Sequence, residues 1–542
     1  MTLRAVLLLV GAVGTLPLLT IQQRRALHLL QLEHYENRRM FVWLHRRREL
    51  SAVPQAPIRG LLAALAITLA ALHATPIAEL AAAVALLAAA AWEAVPQVRR
   101  AEIKPLVYTS RAKLILTAAA LVPTFLILIG LGLSFSGGIA AAAASLGLVT
   151  GLSLAPAPLT AAANNAVKPW QRRVNRRFVG AATAKLARIN PRVIAITGSY
   201  GKTTTKVCVG AVLAEQEPTL VTPASFNSYL GVVRAVNENL EPQHRSFVVE
   251  MGMYRAGDIA ELCELTHPTI GVITAIGPAH LERMGSIEAI QAAKAELAQA
   301  LPVDGRLVTN GDDPRCIEIA RATGVATTLY GLRNPEASVR AHDIRLSDAR
   351  TSFELYLDGE HIGVAAKLLG EHNISNLLAA AAVGRLVDMP IDAIKRGLEA
   401  VQPPEHRLQP LPDTGTGVIV IDDAYNSNPA GAAAALKVLA EHPAVRRILV
   451  TPGMVELGDA EDAENEKFGA LAAAVCDHVI LVGPRHTAPI RRGLMGAGFD
   501  TGAIDVVRDI AGATSVLGKL TRSGDVILFE NDLPDMYAED DQ

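Results

Sequence analysis

The run Ile196-Thr197-Gly198-Ser199-Tyr200-Gly201-Lys202-Thr203-Thr204-Thr205-Lys206 constrains this chain more than any other feature. It follows a short apolar run, Val193 to Ile196, and leads into a stretch able to form a helix. A strand, a glycine turn and a helix N-terminus make a phosphate cradle, because free backbone N–H groups and the positive end of the helix dipole face the anion. In such a loop Lys202 reaches the terminal phosphates and the Thr203 hydroxyl holds Mg²⁺. The spacing departs from the standard phosphate loop, since Ile196 stands where an upstream glycine is usual. A glycine turn with no ligand is the competing reading, but it leaves Gly-Lys-Thr-Thr directly after a strand unexplained.

At 542 residues the chain has room for several domains. A formal net charge of -2 gives no overall footprint for nucleic acid. Cys208, Cys263, Cys316 and Cys476 are scattered without a C-x-x-C pair, so neither a zinc ribbon nor a disulfide framework is expected.

Half of the residues are apolar, with the excess at the front. Apolar blocks run from Val6 to Ile21, Ile58 to Val95, Leu114 to Phe135 and Gly138 to Leu159. A spanning helix needs roughly 20 such residues. Arginine and lysine clusters lie between and after the blocks, at 24–59, 99–113 and 168–177. The positive-inside rule puts all three clusters on the cytoplasmic side, which requires a hairpin at 58–95. The expectation is five transmembrane helices in residues 1–165, a basic juxtamembrane linker at 166–190, and a multi-pass protein of the cell membrane with its catalytic domains in the cytoplasm. A re-entrant hairpin satisfies the same charges, and Ala-rich helices of a soluble core are the alternative to any span at all. The first block lacks a clear cleavage site for a signal peptide.

From about Pro191 the pattern becomes α/β. Short β-rich runs appear at Val193–Ile196, Ser246–Glu250, Thr269–Ala275, Val418–Ile421, Arg447–Val450, His478–Val482 and Val526–Phe529. Helical stretches between them predict parallel sheets covered on both faces. Asp343 to Lys367 reads as an antiparallel insertion, and Pro403-Pro404 as a boundary. The expected order is therefore a central P-loop ATPase domain at 191–402 and a Rossmann-like C-terminal domain at 403–542.

Further residues carry chemistry. Glu250 ends an apolar run, and a carboxylate at a strand end beside the phosphate loop can hold Mg²⁺ directly or through water. His280, in Gly277-Pro278-Ala279-His280, follows the next strand and is a candidate metal ligand or an ordinary loop residue. Lys294 by itself reads as a solvated helix lysine. Asp423, in Asp422-Asp423-Ala424-Tyr425-Asn426-Ser427-Asn428-Pro429, is placed to bind ribose hydroxyls or to form a capped turn.

Taken in order, ITGSYGKTTTK, the Glu250 strand end, IGPAHLERMGS, AAKAEL, GEHNISN, EHRLQ, DDAYNSNP and GMVELGD resemble the Mur ligase family of ATP-dependent amide-forming enzymes over residues 190–540. The resemblance implies ATP contacts by Gly198, Ser199, Gly201, Lys202, Thr203 and Thr204, and Mg²⁺ held by Thr203, Glu250 and His280. It also implies a carbamylated Lys294 at a second Mg²⁺, an adenine side at His372, Asn373 and Asn376, a phosphate-contacting Arg407 at the domain junction, and a ribose and hinge motif at Asp423, Tyr425 and Asn428. Lys202, His280, Lys294 and Arg407 are the implied catalytic residues. The implied reaction converts a carboxylate of a cell-envelope precursor to an acyl phosphate, which an amine then attacks. UDP-N-acetylmuramoyl-tripeptide with D-alanyl-D-alanine is the pairing in the branch most like this chain.

Two departures stand out. The apolar region replaces the family's UDP-sugar domain, and Phe529-Glu530-Asn531-Asp532 stands where the family's dipeptide-adding branch carries Lys-Gly-Ser. A membrane-attached ligase of the poly-γ-glutamate-synthase kind and a nucleotide-binding membrane protein that has lost ligation are the rivals. A transporter is disfavoured, because His73 and Glu79 are almost the only ionisable residues in the apolar blocks.

Overall fold

The computed structural model describes residues 20, 22–33, 35–46, 106–135, 156–223, 226–278, 281–347, 350–411, 415–424, 427–455, 457 and 460–532. The chain divides into two compact units, residues 1–176 and 177–542.

The described part of the first unit is helical. Helix Ser110–Phe135 contains the apolar block that begins at Leu114. Its Ala112, Ile115 and Ala119 are buried with Leu27, Leu30, Met40 and Leu159 in one cluster. A polar set lies beside this core: Arg111 donates to Asn164 Oδ1 at 3.0 Å, and Asn164 donates to Asn37 Oδ1 at 2.7 Å. No helix among the described residues is long and apolar enough to cross a membrane. The expected fold class with N-terminal transmembrane helices, and the multi-pass placement at the cell membrane, are corrected accordingly. The physical reason is visible in Ser110–Phe135: Ala and Leu at helical spacing serve helix–helix packing as well as lipid, and Arg111 and Lys113 open the helix while Pro123 lies inside it. The expected span at 58–95 lies outside the described residues, as do Val6 to Ile21 apart from Thr20, and residues 138–155 of the last block. The basic stretch expected as a linker lies within helix Pro156–Ile189.

The second unit holds two sheets. The first has nine strands: β1 Arg192–Thr197, β2 Thr219–Val221, β3 Ser246–Glu250, β4 Ile270–Ile273, β5 Arg306–Asn310, β6 Ala326–Gly331, β7 Val339–Ser347, β8 Arg350–Leu357 and β9 Glu360–Ala366, in the spatial order β2-β3-β1-β4-β5-β6-β7-β8-β9. β1 to β6 pair in parallel, and β7 to β9 form the antiparallel extension expected near Asp343–Lys367. β1, β3 and β4 are short apolar runs with nearly every residue buried, as parallel strands covered on both faces must be. Helix α1, Lys202–Ala214, follows β1; α2, Ile287–Ala300, follows β4; and α3, Glu371–Leu386, follows β9. α3 is buried from Ile374 to Gly384 except Ser375, because its Leu377-Leu378-Ala379-Ala380-Ala381-Ala382 run is apolar all round and packs on α1 and the sheet.

β1 lies between β3 and β4, so the chain leaves it first toward one side of the sheet and later toward the other. Such a switch point opens a crevice at the carboxyl ends of the strands. The loops after β1, β3 and β4 all emerge there.

The second sheet has six strands: β10 Gln409–Leu411, β11 Ile419–Asp423, β12 Arg446–Thr451, β13 His478–Val482, β14 Ile504–Val507 and β15 Asp525–Glu530, ordered β10-β11-β15-β12-β13-β14. Only β10 is antiparallel to its neighbour. Helix α4, Pro429–Glu441, follows β11 and supplies Ala435, Leu436 and Leu439 to its core.

Candidate active site at the carboxyl edge of the nine-stranded sheet

The turn between β1 and α1 requires its glycines. A Cβ on Gly198 would collide with the Thr274 hydroxyl, and one on Gly201, at φ 78°, would lie 2.5 Å from Asn376 Oδ1. Ser199 ties the turn to the loop after β4 by donating to Gly277 O at 3.0 Å and accepting from Gly277 N at 2.9 Å. Gly201 caps α1 in the left-handed conformation, so the first N–H groups of a 13-residue helix open onto the turn.

Lys202 lies folded back over this turn. Its Nζ donates to Gly198 O at 2.6 Å and to Ser199 O at 3.3 Å. Burial lowers its pKa, with Glu250 opposing and Arg407 adding to the shift. Thr203 Oγ1 donates to Glu250 Oε2 at 3.1 Å, and Asn227 donates to Glu250 Oε1 at 3.0 Å. Lys206 Nζ is 3.1 Å from the same Oε2 that Thr203 meets. Burial alone would raise the Glu250 carboxyl, but Lys206, Lys202 and the Asn227 amide hold it below its ordinary value. Lys206, Asn227 and Thr222, whose hydroxyl accepts from Glu250 N at 3.3 Å, escaped the sequence reading. The Lys206 position one turn after Lys202 was its only sequence signal.

Lys294, on α2, is 2% exposed. Burial, and then the charge of Lys202, push its pKa well below the ordinary lysine value. The bland reading of a solvated helix lysine is therefore set aside. His280 lies outside the described residues, as does Tyr425. Among the described residues no group of three or more His, Cys, Asp or Glu side chains surrounds a metal position. The oxygen pair of Thr203 and Glu250 does fit Mg²⁺, which takes one or two protein oxygens and completes its shell with phosphate and water.

The amides on α3 are engaged inside the protein. Asn376 Oδ1 accepts from Thr205 Oγ1 at 3.0 Å, Asn376 Nδ2 donates to Asn373 Oδ1 at 3.0 Å, and Asn373 Nδ2 donates to Leu369 O at 2.8 Å. This chain links α1 to the segment that packs on α4. Thr204 is buried on α1. Asn428 Oδ1 accepts from Gly431 N at 2.9 Å, so its carbonyl is the N-cap of α4.

Arg407 stands where the two sheets meet, flanked by His406 at φ 59° and Leu408 at φ 44°. Left-handed backbone at two non-glycine residues marks a strained junction. His406 Nδ1 lies 2.7 Å from Asp422 Oδ2, and Asp423 Oδ1 accepts from Leu408 N at 3.0 Å. Arg407 acts electrostatically on Lys202, His372, Asp423 and Glu530. Burial first, and then Arg407, push His372 down to about 4, so its ring is neutral at pH 7. Asp423 and Glu530 end the paired strands β11 and β15. Burial and then Asp423 raise Glu530 well above its ordinary value, while Ser427 donates to its Oε1 at 2.6 Å.

Residues 196–384 match the family model described as Mur ligase middle domain, and residues 406–530 match the Mur ligase glutamate ligase domain. The chain is 35% identical over 372 residues to UDP-N-acetylmuramoyl-tripeptide–D-alanyl-D-alanine ligase of Mycobacterium tuberculosis (strain ATCC 25618 / H37Rv), covering 64% of this chain and 72% of that protein. The Escherichia coli K12 ligase of the same name is 33% identical over 299 residues, covering 55% of this chain and 66% of that protein. Among solved structures, MurF from Acinetobacter baumannii aligns with a TM-score of 0.59 at 27% identity, covering 66% of this chain and 77% of that one.

Proposed function

The chain belongs to the Mur ligase family of ATP-dependent amide ligases, and from that premise we propose that it joins D-alanyl-D-alanine to UDP-N-acetylmuramoyl-tripeptide, with residues 191–402 as the central domain and 403–542 as the C-terminal domain. The observation that carries the site is the convergence of Lys202, Thr203, Glu250 and Lys294 at one strand edge, beside a phosphate turn that admits no side chain at Gly198 or Gly201. The named ligases of Mycobacterium tuberculosis and Escherichia coli support the choice of substrates.

Bound ATP supplies the phosphoryl group that activates the acceptor carboxylate. The protein's part is to neutralise and align two anions that repel each other. Lys202 is already desolvated and leaves its contacts with the Gly198 and Ser199 carbonyls when phosphate arrives. The backbone N–H groups at the start of α1 face the same anion. Thr203 and Glu250 would hold Mg²⁺, with His280 as a further ligand. Lys294, buried and with its pKa pushed well below the ordinary lysine value, would take up CO₂ as a carbamate with loss of a proton, and the added anionic oxygens would serve a second Mg²⁺. Arg407 carries positive charge to the junction between the domains, where closure of the strained 406–408 segment would exclude water. Asp423, Tyr425 and Asn428 lie on the C-terminal-domain motif that would face the nucleoside, and Asn373 and Asn376 would act there through the position of α3, their amides being engaged internally.

The test is ADP release by the full-length protein with Mg²⁺-ATP. Turnover that requires UDP-N-acetylmuramoyl-tripeptide and D-alanyl-D-alanine together is the expected result. Nucleotide binding without turnover on that pair would contradict the substrate assignment.

A further inference from the structure

On α1 the polar side chains Lys202, Thr203, Thr205 and Lys206 diverge by helical position. Thr205 turns to Asn376 on α3. Thr203 and Lys206, three residues apart, lie on one helix face and meet the same atom, Glu250 Oε2, each at 3.1 Å. Lys202, four residues before Lys206, is turned away onto the carbonyls of its own loop. The cation on Glu250 is thus not the lysine of the phosphate loop but the next one along the helix.

The contact is closed to solvent, with the Lys206 and Glu250 side chains each 2% exposed. Glu250 Oε1 is held by Asn227, and the Glu250 backbone N–H by Thr222. Lys206 therefore completes a frame that fixes the carboxylate on all sides. Without it, Oε2 would keep the Thr203 hydroxyl, a group that rotates freely about its own bond, and a buried negative charge would lose its nearest counter-charge. Both losses act on the orientation of the oxygen that a hard cation needs.

We propose that Lys206 is a positioning residue, a resident counter-ion that fixes the Glu250 carboxylate against the Thr203 hydroxyl before nucleotide arrives, so that Mg²⁺-nucleotide meets oxygen donors already set. This rests on the reading of the β1–α1 edge as the Mg²⁺-nucleotide site. It assigns Lys206 no contact with phosphate, which separates it from Lys202.

Calorimetric titration of ADP into the full chain, in EDTA and across a Mg²⁺ series, tests it. Lys206→Met is expected to leave metal-free ADP affinity unchanged while raising the Mg²⁺ concentration for half-maximal enhancement by about 10-fold or more, the effect typical of losing a group that orients a ligand. Lys206→Arg, which keeps the charge, is expected to recover most of that loss. If Lys206→Met does not fold, Lys206→Gln takes its place in the same titration, with the same expectation. An unchanged Mg²⁺ dependence in a folded variant would overturn the inference, as would an equal fall in ADP affinity with and without metal. A wild-type protein whose ADP affinity ignores Mg²⁺ would instead overturn the reading of the site on which the inference stands.

Discussion

Two glutamates end parallel strands in the second unit, Glu250 on β3 and Glu530 on β15, and each is 1% exposed. Their exposure is the same and their pKa values move in opposite directions. Glu250 is paired with Lys206, feels the charge of Lys202 as well, and is held below its ordinary value. Glu530 is pushed well above its ordinary value, by burial first and then by Asp423, another acid. Burial penalises charge at both; the neighbour decides the direction of the shift. The ionised acid lies at the edge where phosphate and metal would sit. Glu530 lies in the frame of the C-terminal sheet, with Ser427 and Asn531, whose Oδ1 accepts from Ser427 N at 3.0 Å, around it.

The largest effect should come from the phosphate edge. Lys202→Ala removes the cation poised for the terminal phosphates, and turnover measured as ADP release should fall by about 10³-fold, the scale of losing one preorganised electrostatic group. The same change should leave thermal stability nearly intact, because Lys202 bonds only to its own loop. Glu250→Ala should do the reverse damage and leave Lys206 buried without its acid. Denaturant unfolding should show a loss of about 3–5 kcal/mol, most of it recovered when Lys206→Met is added.

The two glutamates should also give opposite slopes in stability against pH. The Glu250 contribution, with its folded value depressed, is present above the ordinary carboxylate range and is lost as pH falls through the depressed value. The Glu530 contribution, with its folded value raised, is complete below the ordinary range and is lost as pH rises through the raised value. Glu530→Gln should therefore flatten the decline on the alkaline side, and Glu250→Gln the decline on the acid side, as read by unfolding at a series of pH values. A smaller effect should follow Asn428→Ala, where loss of the α4 cap should cost about 1 kcal/mol in denaturant unfolding.

How far the sequence could be read follows from what each signal depends on. The phosphate turn, Glu250 and the alternation of strands with helices rest on local pattern: β-branched runs, glycines that a turn demands, and a carboxylate at a strand end. Those features survive in the structure because nothing distant alters them. The apolar blocks were ambiguous from the start. Ala112, Ile115 and Ala119 have the composition of a membrane helix and the spacing of a packed one, and only their partners Leu27, Leu30 and Met40 show which applies. Asn373, Asn376 and Asn428 match nucleotide-side motifs, yet their amides serve a relay and a helix cap, a use that depends on Thr205, Leu369 and Gly431 being close by. A lone lysine on a helix reads as solvated, and the burial of Lys294 comes from packing beyond the local pattern. Lys206 was hidden for the same reason, its partner being on another strand.

The most direct measurement is ADP affinity with and without Mg²⁺ in the wild type, Glu250→Gln and Glu530→Gln. The account predicts that Mg²⁺ strengthens binding in the wild type and in Glu530→Gln and no longer does so in Glu250→Gln. Retained enhancement in Glu250→Gln, or its loss in Glu530→Gln alone, would contradict the assignment of the ionised glutamate to the metal–nucleotide edge.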